Sequence, residues 1–158
     1  MKEEAVLTAH LLARFTPSSD VEPSAPATLL PLLIKMDGSY SARALAAIYF
    51  GKMRNQYQIY RKGTQLYGKA LDQLCKAISD PVTAQSNETL TSVLCLCVYE
   101  HVVLSETTAW LKHYQGLGRL VEYRGPQRQQ TELEKRMFRM CRFMIVGLGF
   151  AISRLTCF

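Results

Sequence analysis

The stretch Ser86-Asn87-Glu88-Thr89-Leu90-Thr91-Ser92-Val93-Leu94-Cys95-Leu96-Cys97-Val98-Tyr99-Glu100-His101-Val102-Val103-Leu104 decides how this chain folds. Ser86 and Asn87 both suit a helix start, where a short polar side chain accepts from the free N–H groups of the first turn. Glu88 stands beside that end, where the helix dipole favours negative charge. Leu90, Val93, Leu94, Cys97, Val98, Val102 and Leu104 then form an apolar stripe, and Leu96, Tyr99 and Val103 fall off it. A helix that is apolar round most of its girth is buried on most of its sides.

Outward from that rod the same periodicity repeats. Towards the amino end, Ala42, Leu45, Ala46, Tyr49, Phe50 and Met53 recur at intervals of three and four, with Ser39 or Ser41 as cap. Gln56 to Ser79 predicts a further helix carrying Ile59, Leu66, Tyr67, Ala70, Leu71, Leu74 and Ile78. Asn55 and Gly63 are mild breakers, so the pattern alone leaves one long helix or two open. Asp80-Pro81 ends the segment, since a residue before proline is driven out of helical geometry. Towards the carboxyl end, Ser105-Glu106 opens a helix with the stripe Trp110, His113, Leu117, Leu120 and Val121. Gly125-Pro126 stops it, glycine taking the left-handed position and proline refusing to continue. Thr131 and Glu134 have the spacing of a capping box, and Met137, Phe138, Cys141, Met144, Ile145, Leu148 and Ala151 follow.

Before residue 39 a short amphipathic helix is expected over about Glu3 to Phe15. Thr16 to Pro31 holds four prolines in sixteen residues and reads as a linker or wrapped loop. Leu32, Leu33, Ile34 and Met36 are expected to tuck into the core. No β alternation occurs anywhere. The expected fold is therefore all-α, with stacked antiparallel helical hairpins forming an α-solenoid-like array or irregular bundle. Residues 1–38 form a short helix and Pro-rich linker, and 39–158 a helical domain.

Composition bounds what the chain does. The 158 residues are enough for one core, and 48% hydrophobic with 20% charged is a globular balance. A net charge of +6 permits acidic partners but falls short of a nucleic-acid clamp. Glu3 and Glu4 stand where a signal peptide carries bases. The most apolar run, Phe143 to Ser153, is too short to cross a bilayer, so no membrane partner is expected. Five cysteines without an export signal imply free thiols acting as small hydrophobes.

From Ser39 to Pro126 the chain resembles the fungal-specific transcription factor regulatory domain, which follows a zinc binuclear-cluster motif. Tyr67-Gly68-Lys69-Ala70-Leu71, Asn87-Glu88-Thr89-Leu90 and Tyr99-Glu100 carry the likeness, with Trp110, His113, Gly116, Leu120 and Arg124-Gly125-Pro126. Leu117 departs mildly, standing where the family has a smaller residue. A larger departure is that five cysteines cannot supply the family's six-cysteine cluster. The chain also ends on apolar Leu155-Thr156-Cys157-Phe158, where stacked helices normally carry a polar terminal element. A shortened array, or an open end that meets a partner, is the expectation. The resemblance implies a nuclear transcription regulator, with a metabolic or secondary-metabolite gene cluster as the expected target. Its partner would be a full-length regulator or a second copy, with DNA engaged only indirectly and a small-molecule effector compatible with the family.

Each candidate site has plain packing as its competitor. Cys95 and Cys97 lie two apart on a helix and point to nearly opposite sides, so they cannot share an ion. Cys97 and His101 share a face but fall short of four zinc ligands, and neither metal nor cofactor is expected. Glu100 and His113 interrupt two apolar stripes, and a hairpin turning near Ser105 would bring them about one helical turn apart. Their expected role is a contact that fixes register, against a solvent-facing alternative. Arg124 should lie level with Ser86 to Glu88. Trp110, Tyr67, Tyr99, Tyr114 and Phe138 either fill the core or line a pocket. From Arg119 to Phe158, eight Lys or Arg face three Glu, a solvated face or a surface for an acidic partner. Three function classes follow: the regulator, a general helical adaptor, and a small helical enzyme using His113 or Cys97. A Glu100–His113 acid/base pair has no accompanying nucleophile or phosphate loop, and a non-enzyme is expected.

Overall fold

The computed structural model of the chain describes residues 2–15, 38–103, 109–125 and 131–155. Residues 39–79 fold back on themselves instead of forming one rod. Asn55 takes φ +53°, a left-handed conformation that asparagine tolerates, and the chain reverses there. Tyr40–Met53 (here α2) and Tyr57–Ser79 (α3) are thereby separate helices. Gly51 faces Tyr60 and Gly63 faces Ile48, so the two run antiparallel. Their backbones nearly touch: a Cβ on Gly63 would lie 2.8 Å from the Ile48 nitrogen, and one on Gly51 2.5 Å from the Tyr60 nitrogen. Ala42, Ala44, Ala46 and Ala47 are at most 3% exposed, small side chains that let neighbours approach α2 from several sides.

Lys2–Phe15 (α1) precedes this hairpin, and Pro81–Ala84 (α4), Asn87–Val103 (α5), Ala109–Arg124 (α6) and Glu132–Leu155 (α7) follow it. Among the described residues there is no strand, and the fold is all-α. The single turn α4 was not expected. Asp80 seeds it by accepting from the Thr83 backbone N–H at 2.9 Å, and Pro81 fits the first helical position. Ser86 caps α5, its hydroxyl accepting from the Thr89 N–H at 3.1 Å. Ser39 sits at the α2 start, but its hydroxyl meets Ser41 Oγ at 2.5 Å and bonds no backbone N–H there. The capping box of α7 is reciprocal: Thr131 N–H donates to Glu134 Oε2 at 3.0 Å, and Glu134 N–H to Thr131 Oγ1 at 3.1 Å.

α5 is the axis of the packing. It lies against α2, α3 and α6, and Leu94, Cys95, Leu96 and Cys97 are all 0% exposed. Four consecutive buried residues leave α5 no water-facing side along that turn. α7 packs chiefly on α6 through Met137, Met140, Cys141 and Met144. At the opposite side α1 packs on α2, and its Leu7 and Leu11 belong to the same core.

Three placements differ from the sequence reading. Ile78 is 51% exposed and Met53 53%, although both stood on predicted stripes. α2 begins at Tyr40, level with Gln73, so α3 runs on past its partner and no described residue of α2 lies opposite Ile78. Met53 lies at the tip of the hairpin. Cys75 is exposed, not a core thiol, because it points away from the face of α3 that buries Gly63, Leu66 and Ala70. The proline-rich Thr16–Pro31, Leu32–Met36, the turn at Ser105, Pro126 and Cys157 lie outside the described residues.

Candidate functional site

Helices α3, α5 and α6 each bring one polar side chain to a common point. Glu100 lies on α5 and is 5% exposed. His113 lies on α6, one turn after Trp110, with its Nε2 3.8 Å from Glu100 Oε1. Tyr67, from α3, fits between them. Its hydroxyl donates to Glu100 Oε1 at 2.5 Å and lies 2.8 Å from His113 Nε2.

A phenol has a single proton to donate. With that proton given to Glu100, Tyr67 accepts from His113, which requires the tautomer with hydrogen on Nε2. The directed chain runs His113 to Tyr67 to Glu100. Burial lowers the His113 pKa from its ordinary 6.5, and the Glu100 charge opposes that shift. Burial, then the bond to Glu100, pushes the Tyr67 hydroxyl well above its ordinary range. Tyr99 stacks on Tyr67 at 4.4 Å and an interplanar angle of 16°, and burial lifts its own pKa to about 12.

A second polar contact sits on the next residues along the same helices. His101 Nε2 is hydrogen-bonded to the Tyr114 hydroxyl. Trp110 lies 6.3 Å from the His101 ring and meets Tyr114 edge-on at 5.8 Å. Further along, Arg124 closes the pairing. Its Nη1 donates to the Ser86 carbonyl, and its Nη2 to Asn87 Oδ1 at 2.6 Å. Asn87 with Arg124 at one end and His101 with Trp110 at the other define an antiparallel α5–α6 hairpin. Gly125, at φ +68°, ends α6 by donating to the Val121 and Glu122 carbonyls.

Sequence reasoning singled out Glu100, His113, Trp110 and Arg124, and the structure sets all four along the α5–α6 seam. Tyr67 was missed as the bridge. It was visible as a family landmark and an apolar-face aromatic, but no local pattern says which third helix crosses a seam.

The chemistry available is that of a closed hydrogen-bond network. Cys97 is 0% exposed and burial raises its thiol, the reverse of what a thiolate nucleophile needs. Cys141 is likewise pushed up to about 12 by burial, against the pull of the Arg124 charge. Among the described residues no three His, Cys, Asp or Glu are grouped to hold a metal ion. A surface cleft of about 290 Å³ lies elsewhere, lined by Ser39, Gln73, Leu74, Glu88, Thr89 and Ser92 with Gly38 and Ala77. The core aromatics contribute nothing to its walls. Among the described residues no helix is long and apolar enough to cross a membrane.

Fold and seam together define a domain of stacked helical hairpins locked by an internal polar network. The chain belongs to the fungal specific transcription factor domain family, whose model matches residues 9–158. That match begins inside α1 and takes in all the helices after it. The chain is also similar to an uncharacterized protein of Emericella nidulans, 28% identical over 107 residues. The similar stretch is 68% of this chain and 23% of that relative, so the chain spans about a quarter of the relative's length. No solved structure matches.

Proposed function

We propose that this domain regulates transcription in the nucleus as an effector module, acting through contacts with another protein and not through chemistry of its own. The observation that carries the reading is membership of a transcription factor domain family over residues 9–158. The seam supports it: the polar side chains that a catalytic reading would have used are bonded to one another between packed helices. In this reading the domain itself does not contact DNA, which is engaged indirectly. The partner in this reading is a full-length relative or a second copy, and the genes controlled form a metabolic or secondary-metabolite cluster.

The test is a tethering experiment. The 158-residue chain is fused to an unrelated DNA-binding domain above a reporter, and a fluorescent fusion is followed in cells. Altered reporter output together with nuclear enrichment supports the reading. An unchanged reporter with a cytoplasmic fusion favours a general helical adaptor and overturns it. Purified chain that shifts duplex DNA with sequence preference overturns the indirect engagement of DNA.

A further inference from the structure

The outward face of α7 differs in character from the core face that seats it. At 3.6 residues per turn, Lys135, Arg136, Arg139, Arg142, Phe143 and Val146 fall within an arc of about 120°. All six are exposed, Phe143 by 61% and Val146 by 55%. The opposite arc carries Met137, Met140, Cys141 and Met144, which are buried. The fold has therefore already satisfied the apolar side of α7, and the exposed ring and valine contribute nothing to that contact. Single exposed apolar residues are ordinary. Here two lie one turn apart and are continuous with arginine stems that extend the apolar surface.

The charge on this face is one-sided. Glu132 shares the arc and is bonded to Lys135 at 2.8 Å. That bond holds the Glu132 carboxyl below its ordinary range, with Arg139 and Arg136 adding to the pull. After Glu134 the sequence contains no Asp or Glu, so no other residue of α7 offsets Arg139 and Arg142. Cations at 135, 139 and 142 have the spacing that carboxylates take along one face of a facing helix. Arginine also pairs with carboxylate in bidentate geometry.

We propose that this face of α7 docks an acidic amphipathic helix of a partner protein. Its carboxylates meet Lys135, Arg136, Arg139 and Arg142, and its apolar side chains cover Phe143 and Val146. Charge complementarity selects this occupant. Duplex DNA would set phosphates against an exposed phenyl ring and a valine, where DNA-binding surfaces are polar and strongly positive. A bilayer would need the broad apolar face of the helix, and that face is already seated on α6. The inference deepens the protein-contact reading above by naming the place and the kind of partner.

Fluorescence anisotropy on the purified 158-residue chain tests it. The probe is a synthetic 18-residue helical peptide with Glu on one face and Leu and Phe at helical spacing on the adjoining face. Saturable binding that weakens with salt is expected, and a peptide with every Glu replaced by Gln should bind about tenfold more weakly. Arg139→Glu with Arg142→Glu should lose about tenfold or more, and Phe143→Ala several-fold. A peptide with Lys in place of Glu should prefer the charge-reversed variant to the wild type. All substituted residues are exposed, and an unchanged melting temperature identifies variants that remain folded. Absence of peptide binding, or binding indifferent to these substitutions, overturns the proposal. So does equal or tighter binding of phosphatidylserine vesicles or a 20-base-pair duplex through the same residues. An inert reporter in the tethering test beside intact peptide binding would remove the transcriptional role and leave the docking face standing.

Discussion

Tyr67 is the residue on which the α5–α6 seam turns, because its one proton sets the direction of the whole chain of bonds. Tyr67→Phe keeps the stacked ring and deletes the bridge between His113 and buried Glu100. Losing the partner of a buried polar group costs on the order of 1–3 kcal/mol, read as a lower urea midpoint at unchanged slope. His113 also makes stability pH-dependent. Its folded pKa lies below the ordinary 6.5, so the unfolded chain binds the proton more readily. Its contribution is fully present above pH 6.5 and is lost as pH falls through the lowered folded value. The unfolding free energy should therefore decline on acidification in this window, and His113→Gln should flatten that decline. Glu100→Gln should lower the His113 pKa further in an NMR titration, because the charge opposing the burial shift is gone. Two glycines of α3 make a contrasting pair. Gly63→Ala must push its methyl into the Ile48 backbone and should cost roughly 1–3 kcal/mol. Gly68→Ala meets nothing within 4 Å and should stabilise by up to about 1 kcal/mol through helix propensity alone.

Element boundaries divide by how local their causes are. The capping box at Thr131 and Glu134, the left-handed Gly125 and the Ser86 cap are set by residues within four positions, and all were legible in the sequence. Thr131→Ala should cost about 1 kcal/mol of α7 stability, measured as faster amide exchange in its first turn. What escaped depends on distant partners. Gly63 reads as a weak breaker in isolation and proves to be a point of backbone contact with another helix. Ile78 keeps helical spacing, yet its exposure follows from where α2 begins, 38 residues earlier in the chain. The Glu100–His113 proximity followed from hairpin geometry, whereas Tyr67 belongs to a helix outside that hairpin and needed the third dimension.

At the scale of the whole molecule, burial is graded outward from α5. Its residues from Leu94 to Cys97 are fully enclosed, while α7 rests on α6 and keeps a long exposed face. Native-state hydrogen exchange should follow this gradient, with α2 and α5 amides opening only on global unfolding and α7 opening at lower cost. Uniform protection across all the helices would contradict it. The residues that carry the family resemblance are spread over three helices, and five of them, Tyr67, Asn87, Glu100, His113 and Arg124, meet across the α5–α6 seam. The near-touching backbones of α2 and α3 have a mechanical corollary. With no side-chain layer between them at Gly51 and Gly63, these two helices should move together as a single plate. A visitor on α7 should therefore shift α6 and α7 against this pair before it parts α2 from α3.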